Sequence, residues 1–246
     1  MIKKILRFFY IVYVFTLFVA GLLIIFPVII IAIFLGQPTG GNLAIKLCRG
    51  WSDVWLFLIG IRNKTISQEN IDPKKHYVFV ANHISYLDIP VIFQAVRKNH
   101  IRVLGKIEMS KIPLFGMVYK LAVVLVDRTD SKGRAKSIER LRKVLDQNIS
   151  IFIFPEGTFN ESGQPLKSFY DGAFRMAIET ATPIKPIVYL DTVKLMYYSS
   201  PFTIKPGVSR MVILPEVPVD GLTMSDVAAL KLKVYTMMYD AIVNYR

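Results

Sequence analysis

The sequence predicts an α/β protein: a mixed, partly parallel sheet flanked by helices, preceded by a membrane-embedded helix or helix pair. Three observations lead there. Short apolar runs bounded by turn residues alternate with helix-length stretches, the pattern of strands joined by crossover helices. The N-terminal region is uncharged, with nothing ionisable as Lys, Arg, Asp or Glu between Arg7 and Lys46. Several apolar runs stop abruptly at polar or charged residues, and sheets of this kind hold ligands at the carboxyl ends of their strands.

The uncharged stretch from Phe8 to Gly36 exceeds the roughly 20 residues a helix needs to cross hydrocarbon. It is also longer than the apolar region of a secretory signal, about 7–15 residues. Pro27, with Gly21 before it, allows one tilted, kinked helix. The turn-forming run from Gly36 to Gly41 equally allows a helix pair that enters and leaves one leaflet. Basic residues flank both sides, Lys3, Lys4 and Arg7 before it and Lys46 and Arg49 after it, which leaves orientation open and suits a shallow hairpin. The next segment, Asn42 to Ile61, carries Trp51, Trp55, Leu56, Phe57 and Leu58; it lies in the interface or covers the sheet. Residues 1–66 are therefore read as the membrane-embedded and interfacial part, and 67–246 as the domain that follows.

Within 67–246 the order of elements is as follows. Strands are expected at Tyr77–Ala81, Ile101–Gly105, Ala122–Val126, Ile151–Phe154, Ile184–Leu190 and Arg210–Leu214. Helices are expected at Asp88–Val96, Lys111–Lys120, Lys132–Gln147 and Gly172–Thr180, with a last one from Thr223 or Ser225 to about Asn244. Asp130 or Ser131 is placed to cap the third of these.

The chain of 246 residues has a net charge of +13, and the window from Ile89 to Lys143 holds 13 Lys and Arg against 4 Asp and Glu. Such a field suits anionic headgroups, a phosphate-bearing substrate or an acidic carrier protein. Nucleic acid is the competing partner, and the N-terminal segment argues against it. Cys48 is the only cysteine, and His76, His83 and His100 lack ligand spacing, so neither a disulfide nor a metal site is expected.

Three strand ends carry chemistry. In Asn82-His83-Ile84-Ser85-Tyr86-Leu87-Asp88 a histidine stands where a strand ends and an aspartate where a helix begins. Five residues apart on one helix, the two would not share a face. Across a turn they can meet, the carboxylate fixing the imidazole tautomer and leaving the other nitrogen as a base. Asp88 is equally placed to cap the helix that Pro90 helps start, and Asn82 and Ser85 to satisfy turn backbone. In Ile151-Phe152-Ile153-Phe154-Pro155-Glu156-Gly157-Thr158 an apolar strand breaks at Pro and Gly, with Glu156 emerging at its end; an ordinary turn would look the same. Val123-Val124-Leu125-Val126-Asp127-Arg128 ends in a guanidinium suited to phosphate, or in a surface ion pair.

Together these stretches resemble the glycerolipid acyltransferase family, which includes the 1-acylglycerol-3-phosphate acyltransferases. Asn82, His83, Ser85 and Asp88 match its NHxSxxD block. Asp127 and Arg128 match its second motif, preceded by a similar Lys111-Ile112-Pro113-Leu114-Phe115-Gly116. Phe154 to Thr158 match its FPEGT block, and Thr182-Pro183-Ile184-Lys185-Pro186-Ile187 resembles its Pro-rich strand. The resemblance spans residues 77–190. It implies acyl transfer from acyl-CoA or acyl carrier protein to the sn-2 hydroxyl of 1-acylglycerol-3-phosphate, giving phosphatidic acid, without a covalent enzyme intermediate or cofactor. His83 would be the base and Asp88 its support. Arg128 would bind the phosphate and Glu156 the glycerol part, with Gly157 and Thr158 lining the substrate site. A backbone N–H near Gly157, or Lys106, would face the developing oxyanion. The catalytic domain would face the cytoplasm, with lysolipid acceptor and membrane lipids as its partners.

One departure stands out. The family's third motif continues with arginine, where this chain has Phe159. A phosphate there would lose a charge-assisted contact worth about 1.5–3 kcal/mol. Either Lys167 compensates, or the acceptor carries no phosphate, as in a lyso amino-acid lipid. No G-x-S-x-G elbow supplies a serine nucleophile for hydrolysis, and no G-x-x-x-x-G-K-[ST] loop supports nucleotide hydrolysis. A non-enzymatic membrane adaptor would need neither His83 nor Asp88.

Overall fold

The computed structural model describes residues 2–126 and 139–245. Its seven strands are β1 (Ile61–Gln68), β2 (Val78–Ala81), β3 (Ile101–Lys106), β4 (Val123–Val126), β5 (Ser150–Ile153), β6 (Ile184–Tyr189) and β7 (Gly207–Ile213). They form one sheet in the order β1-β7-β6-β2-β5-β3-β4. The five from β6 to β4 are mutually parallel; β7 runs antiparallel to β6, and β1 parallel to β7. This is the mixed, partly parallel sheet that the alternation of strands and helices implies.

Central strands are apolar on both faces because helices cover both faces. Phe79, Ala81, Phe152, Ile187 and Tyr189 point to one side, packing with α2 (Thr39–Leu58), α3 (Asp88–Ala95) and α4 (Phe115–Ala122). Val78, Val80, Ile151, Ile153 and Val188 point to the other, with α5 (described over residues 139–145), α6 (Gly172–Glu179) and α8 (Val227–Tyr245). The period-2 alternation of strand side chains thus feeds two cores from one run.

The N-terminal region forms a helix pair. Helix α1 (Ile2–Leu35) passes through Pro27 without a break and turns at residues 36–38 into α2. By length and hydropathy it is able to cross a membrane. The two helices run antiparallel. Tyr10 Oη donates to the Ile59 carbonyl at 2.7 Å, and the Trp55 indole donates to the Val14 carbonyl at 3.1 Å. Phe18 packs edge-on against both Trp51 and Trp55. Glycines permit the close approach: a Cβ at Gly40 would collide with the Ala32 carbonyl, and one at Gly21 with the Trp51 indole. Of the two roles open to the second segment, α2 takes the sheet-covering one, burying Ala44, Ile45, Cys48, Ser52, Trp55 and Leu56.

The turn between these helices is tied to the sheet by Arg102 on β3, whose side chain is almost wholly buried. Its guanidinium donates to Gln37 Oε1 (2.8 Å), Asn42 Oδ1 (3.0 Å) and the carbonyls of Pro38 (3.0 Å) and Ile101 (2.8 Å). Every one of these acceptors is neutral, and burial pulls the guanidinium down to about 10.

Three details differ from the sequence reading. Strand β1 was not expected; only Ile61 and Ile66 in it are apolar, and the anticipated boundary at 66/67 falls within it. The helix expected over Lys111–Lys120 is instead a 3-10 turn (Ile107–Lys111) followed by α4, because Ile112, extended ahead of Pro113, interrupts it. The final helix starts as expected at Thr223, which forms a capping box with Asp226, although its first turn is 3-10 before α8 begins. The caps proposed at Asp130 and Ser131 lie outside the described residues.

Candidate active site

Parallel strands present their carboxyl ends along one edge of the sheet. There β2 delivers Asn82-His83, β5 delivers Phe154-Pro155-Glu156, β6 delivers Leu190-Asp191-Thr192, and β3 ends at Lys106. Strand β4 leads toward Asp127 and Arg128, so the expected phosphate ligand Arg128 lies outside the described residues.

His83 and Asp88 meet across the turn between β2 and α3. His83 Nδ1 lies 2.9 Å from Asp88 Oδ2. That oxygen also accepts the backbone N–H groups of Ile84 (2.7 Å) and Ser85 (2.8 Å), while Oδ1 accepts the Thr192 hydroxyl at 2.6 Å. The carboxylate is fully buried. The helix-cap alternative for Asp88 is not realised: it is the first residue of α3, and its side chain turns back onto the preceding loop, with no side-chain cap at the helix start. With Nδ1–H donated to the carboxylate, the other ring nitrogen is left as an acceptor, the arrangement of a supported base.

The loop carrying His83 is held from several directions. Asn82 bridges to β6, donating to the Tyr189 carbonyl (2.9 Å) and accepting its N–H (2.8 Å). The Ser85 hydroxyl donates to the Met196 carbonyl at 2.6 Å. The His83 N–H donates to Glu156 Oε1 at 3.1 Å, and the His83 carbonyl accepts the Asn160 N–H at 2.7 Å. Glu156 therefore reaches the base through its backbone. Its side chain is fully buried, and Oε2 makes no well-formed hydrogen bond. Burial pushes this carboxyl up to about 8, against the lowering effect of the His83 and Lys167 backbone amides.

The other expected residues are placed less uniformly. Gly157 has φ +73°, the left-handed conformation a side chain disfavours. Its N–H is occupied by the Phe154 carbonyl at 3.1 Å, so that amide is not a free donor for an oxyanion. Thr158 accepts Lys167 Nζ at 2.8 Å, bringing those two together beside Phe159. Lys106 sits exposed two strands away from β2, about 10 Å by strand spacing.

Phe159 does not point away from the site. Its ring centroid is 4.2 Å from the His83 ring, on which Phe154 also stacks at 4.1 Å. Tyr86 meets Phe159 edge-on at 4.8 Å, and Tyr198 lies 6.4 Å from it. Sequence reasoning missed Thr192, Tyr198 and the packing role of Phe154. Thr192 and Asp88 are 104 residues apart, and no local pattern links them.

Residues 49–190 match the Acyltransferase family model. Among similar proteins, 1-acyl-sn-glycerol-3-phosphate acyltransferase alpha of Homo sapiens is 33% identical over 177 residues, covering 71% of this chain and 61% of that protein. An uncharacterised acyltransferase of Schizosaccharomyces pombe is 30% identical over 222 residues, 87% of this chain and 77% of its own length. The chain thus spans about three-fifths of the length of the human relative it matches. The fold is that of the Thermotoga maritima acyltransferase PlsC, with a TM-score of 0.81 at 20% identity over 99% of this chain and 97% of that one. With a family model covering more than half of its residues and a relative of this identity, the chain belongs to the Acyltransferase family.

Proposed function

We propose that the protein is a membrane-bound 1-acylglycerol-3-phosphate O-acyltransferase, using acyl-CoA or acyl carrier protein as thioester donor and a lysolipid as acceptor. The observation that carries this reading is the bonded His83–Asp88 pair at the carboxyl edge of the sheet, within a chain of this family. Relatives named for the same activity support it.

In this reading the unbonded ring nitrogen of His83 takes the proton of the sn-2 hydroxyl. The freed oxygen attacks the thioester carbonyl carbon. As the tetrahedral intermediate collapses, the C–S bond breaks, and the departing thiolate takes the proton back from the imidazolium. The new ester and a free thiol are the products. Asp88 holds the ring in place and stabilises its charged form. Arg128 binds the acceptor phosphate, Lys106 and Lys167 add positive charge, and the buried Glu156 acts from behind the site by accepting the His83 backbone N–H. Helix α1 anchors the protein, and the sheet domain carries the chemistry on the cytoplasmic side.

A second acceptor reading has its own support. Phe159 lies against His83 where the family has a cation, which favours an acceptor without phosphate, such as a lyso amino-acid lipid. The test offers purified protein several lysolipids with one acyl donor, then acyl-CoA and acyl carrier protein in turn with the best acceptor. Preferential acylation of 1-acylglycerol-3-phosphate is expected. Use of a phosphate-free acceptor with that substrate ignored overturns the first reading, and near-normal transfer by His83→Ala overturns the mechanism.

A further inference from the structure

We infer that the segment 196–204, between α7 (Thr192–Leu195) and β7, inserts into the surface of a lipid bilayer beside α1 and forms the aromatic wall along which a membrane-resident acceptor reaches His83. This rests on reading α1 as the membrane segment of a lipid acyltransferase.

The segment is pinned at both ends and apolar at its tip. Met196 and Ile204 are buried with Val14, Trp55 and Leu195. Between them Tyr197 and Phe202 project, Phe202 being 59% exposed. The tip is not a loose loop. Ser200 Oγ accepts the Phe202 N–H, and Thr203 Oγ1 accepts the Tyr197 N–H at 2.7 Å while donating to the Ser200 carbonyl at 2.7 Å. Those side chains satisfy backbone groups that would otherwise resist entry into an apolar phase.

A single exposed phenylalanine would signify nothing. What gives Phe202 meaning is its neighbour. Its ring lies 5.2 Å from that of Phe15 on α1. Phe15 belongs to a helical stripe with Phe8, Val12 and Val19, spaced three and four residues apart, and these three are exposed. Among the described residues, Phe202 meets this stripe in a ring contact at Phe15. Lipid that covers the stripe must also reach Phe202. Lys205 stands exposed at the end of the segment, and an aromatic tip with an adjacent lysine suits the headgroup level.

From this tip, rings continue inward. Tyr197 packs on Tyr198 at 4.2 Å, Tyr198 faces Phe159, and Phe159 packs on His83. The Ser85–Met196 hydrogen bond ties the same segment to the catalytic turn. Aromatic side chains thus lead from Tyr197, in the same segment as Phe202, to the His83 ring.

The buried Cys48 is the only cysteine, so single engineered thiols label selectively. Phe202→Cys, Ile24→Cys on the exposed face of α1, and Met224→Cys at the start of the last helix are each labelled with an environment-sensitive fluorophore. Each full-length protein is reconstituted into phosphatidylglycerol–phosphatidylcholine vesicles, with and without brominated acyl chains. Quenching by brominated lipid is expected at positions 202 and 24 and not at 224. Quenching at 24 without quenching at 202 overturns the inference while leaving α1 in the membrane; no quenching at either overturns both. A signal at 202 that depends on protein concentration and not on lipid assigns the tip to a second copy, also against the inference. As an independent check, Phe202→Asp should raise KM several-fold for a long-chain acceptor in vesicles, and by less for a dispersed short-chain acceptor. Equal KM values for both proteins in vesicles would count against it.

Discussion

The two sides of the site are built differently. On the side of β2 and β6, the side chains of the turn are paired: Asp88 accepts four hydrogen bonds, Asn82 bridges two strands, and Ser85 closes the loop onto Met196, while the buried Tyr189 hydroxyl on β6 is left without a partner. On the side that follows β5, rings meet rings, the Lys167 ammonium donates to a threonine hydroxyl, and Glu156 leaves one oxygen without a well-formed partner. The first side holds the His83 ring through a closed set of hydrogen bonds. The second is ring-on-ring packing. In the proposed mechanism, the first side carries the chemistry and the second the acceptor choice.

The strongest way to break it is Asp88→Asn. The amide cannot accept at both oxygens as the carboxylate does, so kcat should fall about 10²–10⁴-fold. Unchanged KM for the acceptor would keep the effect on the chemical side; a loss confined to KM would dissolve the distinction. Next is Phe159→Arg, which restores the family cation. It should raise kcat/KM for 1-acylglycerol-3-phosphate by about 10-fold, corresponding to one charge-assisted contact of roughly 1.5 kcal/mol, without altering use of a phosphate-free lysolipid. A selective loss for the phosphate-bearing acceptor would place phosphate elsewhere. Thr192→Val removes one hydrogen bond from Asp88 and should cost about 1 kcal/mol in stability, measured by denaturant unfolding. A larger fall in kcat than in stability would make Thr192 a positioning residue for the pair.

The smallest effect sharpens the comparison through pH. Glu156 is raised from an ordinary 4.5 to about 8, so the folded protein holds a proton there that the unfolded chain releases. Between those values stability from this group is lost as pH rises, and it levels off above 8. Glu156→Gln lacks the titration. The Tm of the wild type relative to this variant should decline from pH 5 to pH 8, by a few degrees. A constant difference across that range would show that burial does not shift the carboxyl.

The central strands were readable because both faces are buried, which writes each as an unbroken apolar run such as Val78-Phe79-Val80-Ala81. Strand β1 was not, since it is an edge strand whose exposed Arg62 and Lys64 resemble loop composition. The motif residues His83, Asp88 and Glu156 were legible through local order at strand ends. The direction of the Asp88 carboxylate was not, because a residue beginning a helix is as able to turn back as to cap forward. Gly157 was legible as a left-handed turn residue, but the use of its N–H by Phe154 depends on how that turn closes. Phe159 could be seen as a departure from the family, whereas its contact with His83 required the path of the loop after β5. Contacts such as Thr192 with Asp88 come from two adjacent parallel strands and follow only from the sheet order.

Arg102 has a mechanical consequence. A buried guanidinium donates to carbonyl and amide oxygens of the helix turn and of its own strand. The bend between the first two helices and the strand ending at Lys106 are thereby clamped together. A tilt of the first helix relative to the sheet must therefore either break these hydrogen bonds or carry the strand with it.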